Sequence, residues 1–189
     1  MKMRIQRSRL AWGACCLALI CCVPAAYAAP SWNTLDSWEA SLLPEKPLSM
    51  ETLSTISAVG TLTLPVPGII ASSASLQRSL SYGLSLAAAY GAKELGKHLF
   101  QRPRPDNPDE RDSFPSGHAA ASGAVLGYMT YYLRHDPIEP SWPLWASVPL
   151  HALTLSGRLL SRQHYPLDII AGVLLGGAVG YAVPWLLDL

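Results

Sequence analysis

Two long stretches without a charged side chain constrain this chain most. Residues 52–77 hold none over 26 positions, and residues 169–187 form a second such run. About 20 consecutive apolar residues are enough to cross a bilayer as a helix. Pro65 and Pro67 interrupt the first run, which predicts a kink or two shorter pieces. Further helices are expected over residues 79–100, 118–133, 142–158 and 166–187. Gly123 and Gly127 are four apart, as are Gly172, Gly176 and Gly180. Such spacing lets helices approach closely in lipid. Only 14% of the residues are charged, against roughly 25% in an ordinary soluble domain. The expected fold class is therefore all-α, an integral membrane helical bundle of about five spanning helices. A compact soluble helical domain with a very apolar core is the alternative. Residues 30–50, with Trp32, Trp38, Leu42 and Leu43, suit a short N-terminal amphipathic segment at the membrane surface or a plain surface arm.

The first 28 residues have the form of a secretory signal. A basic start with Lys2, Arg4, Arg7 and Arg9 precedes an apolar stretch ending near Val23. Pro24 follows, and Ala26-Tyr27-Ala28 offers a cleavage site. The expected organisation is thus a cleaved signal peptide over 1–28 and a single membrane-embedded domain over 29–189. Cys15, Cys16, Cys21 and Cys22 all lie in the signal segment, so the remaining chain has no disulfide framework. Lys and Arg total 14 against 13 Asp and Glu, so no basic excess points to nucleic acid.

If the chain starts outside and crosses five times, residues 97–118 and 158–165 fall on the outer side. Tyr131, Tyr132, Trp142, Trp145, Tyr181 and Trp185 would gather at the opposite interface, where amphipathic rings settle. Positive charges are more numerous on the outer side, against the usual bias. The outer segments carry the chemistry that accounts for them. Pro103, Pro105, Pro108 and Pro115 make 97–118 an ordered loop rather than a helix. Lys97 and Arg104 are seven apart. Ser116, Gly117 and His118 then open a helix, whose first free N–H groups form an anion site. Arg158, His164 and Asp168 supply the third block, with Asp168 four residues from His164. Three permanent cations, a helix N-terminus, two histidines and a carboxylate suit a phosphate ester. The cations and N–H groups neutralise a transferring phosphoryl group. One imidazole attacks phosphorus, the other protonates the leaving oxygen, and the carboxylate fixes the attacking ring.

These three ordered blocks resemble the signature of the type 2 phosphatidic acid phosphatase superfamily, which includes class A acid phosphatases and vanadium haloperoxidases. The pattern is Lys, six residues, Arg-Pro; Pro-Ser-Gly-His; then Ser-Arg, five residues, His, three residues, Asp. The chain matches at Lys97, Arg104 and Pro105, at Pro115 to His118, and at Arg158, His164 and Asp168. Gly157 stands where the pattern has Ser. The resemblance implies that His164 is the nucleophile and forms a phosphohistidine. Asp168 orients it, and His118 is the general acid and then the base that activates water. Lys97, Arg104, Arg158, Ser116 and the Gly117 backbone hold the phosphate. No metal and no cofactor is implied. The implied activity is a phosphatase acting on a lipid phosphate or pyrophosphate at the periplasmic face of a bacterial inner membrane. Candidate substrates are phospholipid, isoprenoid-lipid and lipid A phosphates. A lipid phosphotransferase, a soluble periplasmic acid phosphatase and a non-catalytic lipid-binding or transport protein are the alternatives.

Outside the three blocks the plain expectations are structural. His98, His135 and His151 read as structural residues, and Lys93 with Glu94 as a solvated or interfacial helix end. Arg102 and Arg162, beside the site residues, are placed to steer anionic substrates. Asp106, Asp109, Glu110 and Asp112 read as a solvated loop, or as partners for the basic groups when no substrate is bound.

Overall fold

The computed structural model describes residues 32–45, 49–135 and 142–188. The signal segment lies outside them. Every regular element among the described residues is a helix: α1 (Trp32–Ser41), α2 (Met50–Thr63), α3 (Val66–Ser72), α4 (Leu76–Phe100), α5 (Gly117–His135), α6 (Trp142–Leu160) and α7 (Pro166–Leu187). The uncharged run over 52–77 is thus divided. Ser49 caps α2 by accepting from the Thr52 N–H at 3.2 Å. Pro65, which has no N–H, stands between α2 and α3, and its carbonyl accepts from the Tyr82 hydroxyl at 2.8 Å. Ser75 then caps α4 through the Arg78 N–H at 3.2 Å. α4 stops at Gln101, whose left-handed φ of 42° turns the chain into the proline-rich loop.

Packing explains the glycine spacings. α5 and α7 lie against each other along their length. A Cβ on Gly123 or Gly127 would strike the carbonyls of Val173 or Gly177, and one on Gly176 or Gly180 those of Ala120 or Ala124. Backbone meets backbone there, the close approach that small residues permit in lipid. α4 packs on both helices, and α6 packs on α2. Gly157 meets a side chain instead: a Cβ at that position would lie 2.7 Å from Ile56 Cγ2 of α2. At one end of the bundle Tyr128, Tyr131 and Tyr132 form a buried cluster with Tyr181 and Trp185 against it, and Arg78 lies over the Tyr132 ring at 4.8 Å. Four of the six aromatics singled out in the sequence thus pack together; Trp145 is exposed and the Trp142 side chain lies outside the described set.

The surface runs opposite to that of a water-soluble bundle. Leu80, Leu84, Leu153 and Leu174 are each more than half exposed, while Ser81, Ser85, Ser122 and Ser147 are fully buried. Hydroxyls turned inward and aliphatics outward suit a lipid surround, where polar groups face the bundle interior. Among the described residues, α7 alone is long and apolar enough to cross a membrane on its own composition. Five self-evident spans are therefore not what the helices display. α4 carries Lys93, Glu94 and Lys97, and α6 contains Pro149.

Candidate active site

The three sequence blocks meet at the end of the bundle away from the tyrosine cluster. α4 ends there with Lys97, α5 begins there, α6 ends with Arg158, and α7 begins with Asp168. Two contacts set the register. Gly96 leaves room for Pro115, whose Cδ would be 2.6 Å from a Cβ on that glycine; the Phe114–Pro115 peptide is cis. The Ser116 N–H donates to the Asp168 carbonyl at 3.0 Å, which locks the start of α5 to the start of α7.

A cavity of about 470 Å³ opens at this junction. Six of the eight predicted residues line it: Lys97, Arg104, Gly117, His118, Arg158 and His164. Leu64, Pro65, Leu86 and Ala89 add an apolar part to the lining. Ser116 and Asp168 are fully buried and outside that lining. The Ser116 hydroxyl has no hydrogen-bond partner among the described residues. It does not cap α5 and remains an unused donor beside the helix N-terminus.

The His164–Asp168 relation differs from the direct pairing implied by the family pattern. His164 Nδ1 donates to the Ser113 carbonyl at 2.9 Å and is 3.8 Å from Asp168 Oδ2. The Ser113 hydroxyl donates to that same Oδ2. Ser113 is therefore the link between carboxylate and ring. With Nδ1 carrying the proton, Nε2 keeps its lone pair, the state a nucleophile needs. Burial holds the His164 pKa below its ordinary value, against the opposing pull of Asp168. His118 is within electrostatic reach of Arg158, His164, Lys93 and Lys97.

Two of the three cations are held by one carboxylate. Asp112 accepts from Lys97 Nζ at 2.9 Å and from Arg104 Nε and NH2 at 2.7 and 3.0 Å. Arg104 NH1 donates to Gln163 at 2.7 Å. The Arg104 hydrogen bond, and then Lys97, hold the Asp112 carboxyl well below the usual carboxylate range. Of the two expectations for the acidic loop, pairing with the basic groups is what Asp112 does.

Two expectations are corrected. Lys93 is no solvated helix end: it lines the cavity, and a Cβ on Gly117 would lie 3.8 Å from its Nζ. Its position one helical turn before Lys97 was the available signal. Arg102 is not a steering group, because it is fully buried and bonded to three carboxylates. Arg162, with φ of 57°, donates to the Pro44 carbonyl at 3.4 Å. The bland expectation for His151 fits: it is buried, with Nδ1 3.0 Å from the Ser122 hydroxyl.

Comparison with known proteins agrees with this geometry. Lipid A 1-phosphatase from Porphyromonas gingivalis is 30% identical over 110 residues, 58% of this chain and 24% of that protein. The match therefore spans about a quarter of that relative's length. Decaprenylphosphoryl-5-phosphoribose phosphatase from Mycobacterium tuberculosis is 33% identical over 133 residues, 66% of this chain and 70% of that one. The crystal structure of a transmembrane PAP2-type phosphatidylglycerolphosphate phosphatase from Bacillus subtilis superposes with a TM-score of 0.59 at 19% identity, covering 93% of this chain and 94% of its own; it shares the fold. The family model of the PAP2 superfamily matches residues 78–188, the stretch that holds every residue lining the cavity except Leu64 and Pro65, and the chain belongs to that superfamily.

Proposed function

We propose that this protein is a membrane-embedded phosphatase that hydrolyses a lipid phosphate or diphosphate through a phosphohistidine on His164, with its site on the periplasmic side of a bacterial inner membrane. The observation that carries this is the mixed lining of one cavity: Lys97, Arg104, Arg158 and both histidines together with Leu64, Pro65, Leu86 and Ala89. A phosphate group and an alkyl chain in one molecule satisfy both kinds of surface. The relatives named for lipid substrates support the same class. α4, α5 and α6 contain 25, 19 and 19 residues, or about 28–38 Å at 1.5 Å per residue. That matches a hydrocarbon core of about 30 Å, so α4 to α7 span singly and α2 with α3 together.

In the first step His164 Nε2 bonds to phosphorus as the bond from phosphorus to the leaving oxygen breaks. His118 passes its proton to that oxygen. In the second step His118 takes a proton from water, the water oxygen bonds to phosphorus, and the P–Nε2 bond breaks. Lys97, Arg104, Arg158 and the N–H groups opening α5 neutralise the equatorial oxygens throughout. The test is phosphate release from purified lipid phosphates and diphosphates in detergent. His164→Ala should remove turnover and acid-labile phosphoenzyme while leaving the protein folded. Undiminished turnover in that variant would refute the mechanism. Adding an acceptor lipid separates hydrolysis from transfer.

A further inference from the structure

Helix α1 lines no part of the cavity, yet it reaches the catalytic carboxylate through one side chain. Arg102 is fully buried between the rings of Trp32 and Tyr165, at 4.6 and 4.2 Å. Its guanidinium is divided among three carboxylates. Nε and NH2 donate to Asp36 Oδ1 at 2.9 and 2.7 Å, and NH2 also donates to Glu39. Only NH1 reaches Asp168, at Oδ1 and 2.6 Å. Asp168 Oδ2 is thereby left for the Ser113 hydroxyl and for the Tyr165 N–H at 2.9 Å. Glu39, also fully buried, accepts the Leu167 N–H at 2.6 Å with its other oxygen.

This division has a chemical consequence. A guanidinium prefers to grip a carboxylate with two parallel bonds. Freed from α1, Arg102 would take both oxygens of Asp168 and draw Oδ2 away from Ser113. The Ser113 carbonyl accepts from His164 Nδ1 while the Ser113 hydroxyl holds Oδ2, so a shift of Asp168 away from that hydroxyl reaches the nucleophile's tautomer and ring orientation through the Ser113 backbone.

We propose that Glu39 and Asp36 are positioning residues for the catalytic pair: by occupying Nε and NH2 of Arg102 they restrict it to one bond with Asp168, and so keep Ser113 on both Asp168 and His164. The proposal rests on His164 being the nucleophile. Glu39→Gln tests it, because the amide keeps an acceptor for the Leu167 N–H while losing the charge that holds Arg102.

The full chain is purified in detergent and assayed with a ³²P-labelled phosphatidic acid. The expected result is a kcat lower by about 10- to 100-fold, the usual loss when a partner behind a catalytic group is removed, with slower rapid-quench phosphorylation of His164. KM and the competitive inhibition constant of inorganic phosphate should stay within about twofold, since Lys97, Arg104 and Arg158 are untouched. Glu39→Asp should restore part of the rate. An unchanged kcat, or losses in kcat, phosphate affinity and thermal stability that run in parallel, would overturn the proposal. If Glu39→Gln does not fold, Asp36→Asn carries the same test at a less buried carboxylate. His164→Ala run alongside separates the two ideas. Retained turnover there removes the nucleophile assignment and this proposal with it. Loss of turnover there, with normal Glu39→Gln kinetics, removes the positioning role alone.

Discussion

Gly172 and Gly177 lie on the same helix, α7, and an alanine at each should have opposite consequences. A Cβ at position 172 would lie 2.6 Å from the Ser116 carbonyl oxygen and 2.7 Å from Ala119 Cβ. Reaching ordinary contact at 3.4 Å requires the start of α5 to move by about 0.8 Å. The Ser116 N–H to Asp168 carbonyl bond, 3.0 Å long, spans this joint and would stretch beyond hydrogen-bonding range. Overpacking of this kind costs about 1–3 kcal/mol, or about 2–12 °C of Tm at this chain length. A misplacement near 1 Å at the reacting groups can cost about 100-fold in rate, so kcat/KM should fall by at least about tenfold. At position 177 the nearest atom to a new Cβ is the Gly123 carbonyl oxygen at 3.8 Å. Gly177→Ala should therefore leave activity intact and raise stability by up to about 1 kcal/mol through helix propensity. Thermal unfolding and lipid-phosphate hydrolysis in the same detergent read both variants. If Gly172→Ala matched Gly177→Ala in Tm and kcat/KM, the claim that the α5–α7 joint fixes the site would be wrong.

The pH profile is a second check. His164 must be neutral at Nε2 to attack, and burial holds its pKa below the ordinary 6.5. The acid limb of kcat/KM for hydrolysis should thus lie below pH 6.5; a limb above it would contradict the buried environment. Asp112→Asn removes the anion that bridges Lys97 and Arg104. Inorganic phosphate should then inhibit more tightly, by roughly tenfold for about 1.4 kcal/mol, and weaker inhibition would mean that Asp112 serves phosphate binding. Asp109→Cys, in a chain with Cys15, Cys16, Cys21 and Cys22 replaced, tests orientation. Intact cells should label with a membrane-impermeant maleimide, and labelling only after permeabilisation would place the site on the other face.

The parts of the fold written in local pattern were legible. α7 matches the expected 166–187 because an uncharged run with proline at its start defines a helix without help from its neighbours. The cavity was legible because Lys97, His118, Arg158 and His164 sit in or beside the ends of neighbouring helices and Arg104 in the loop that joins two of them. What escaped was decided by distant partners. Asp36 and Arg102 are 66 residues apart, and no periodicity reports which of two adjacent arginines turns inward. Arg102 and Arg104 look alike in the sequence, yet one is sealed beneath the site and the other lines it. The indirect Asp168–Ser113–His164 route escaped for the same reason, since Ser113 belongs to none of the three blocks. Composition alone marks one span among the described helices. Helices that hide serines and threonines inside the bundle need not be uniformly apolar.

Two helix N-termini point into the same small region, and they are not equivalent. Each carries roughly half a positive charge. The Glu39 carboxylate and the Asp168 side chain already quench the end of α7, through the Leu167 and Tyr165 amides. At the start of α5 the Ser116 N–H goes to a neutral acceptor, the Asp168 carbonyl. On the proposed function, a phosphate dianion would be drawn to the start of α5 rather than to the start of α7, whose charge two carboxylates have already answered.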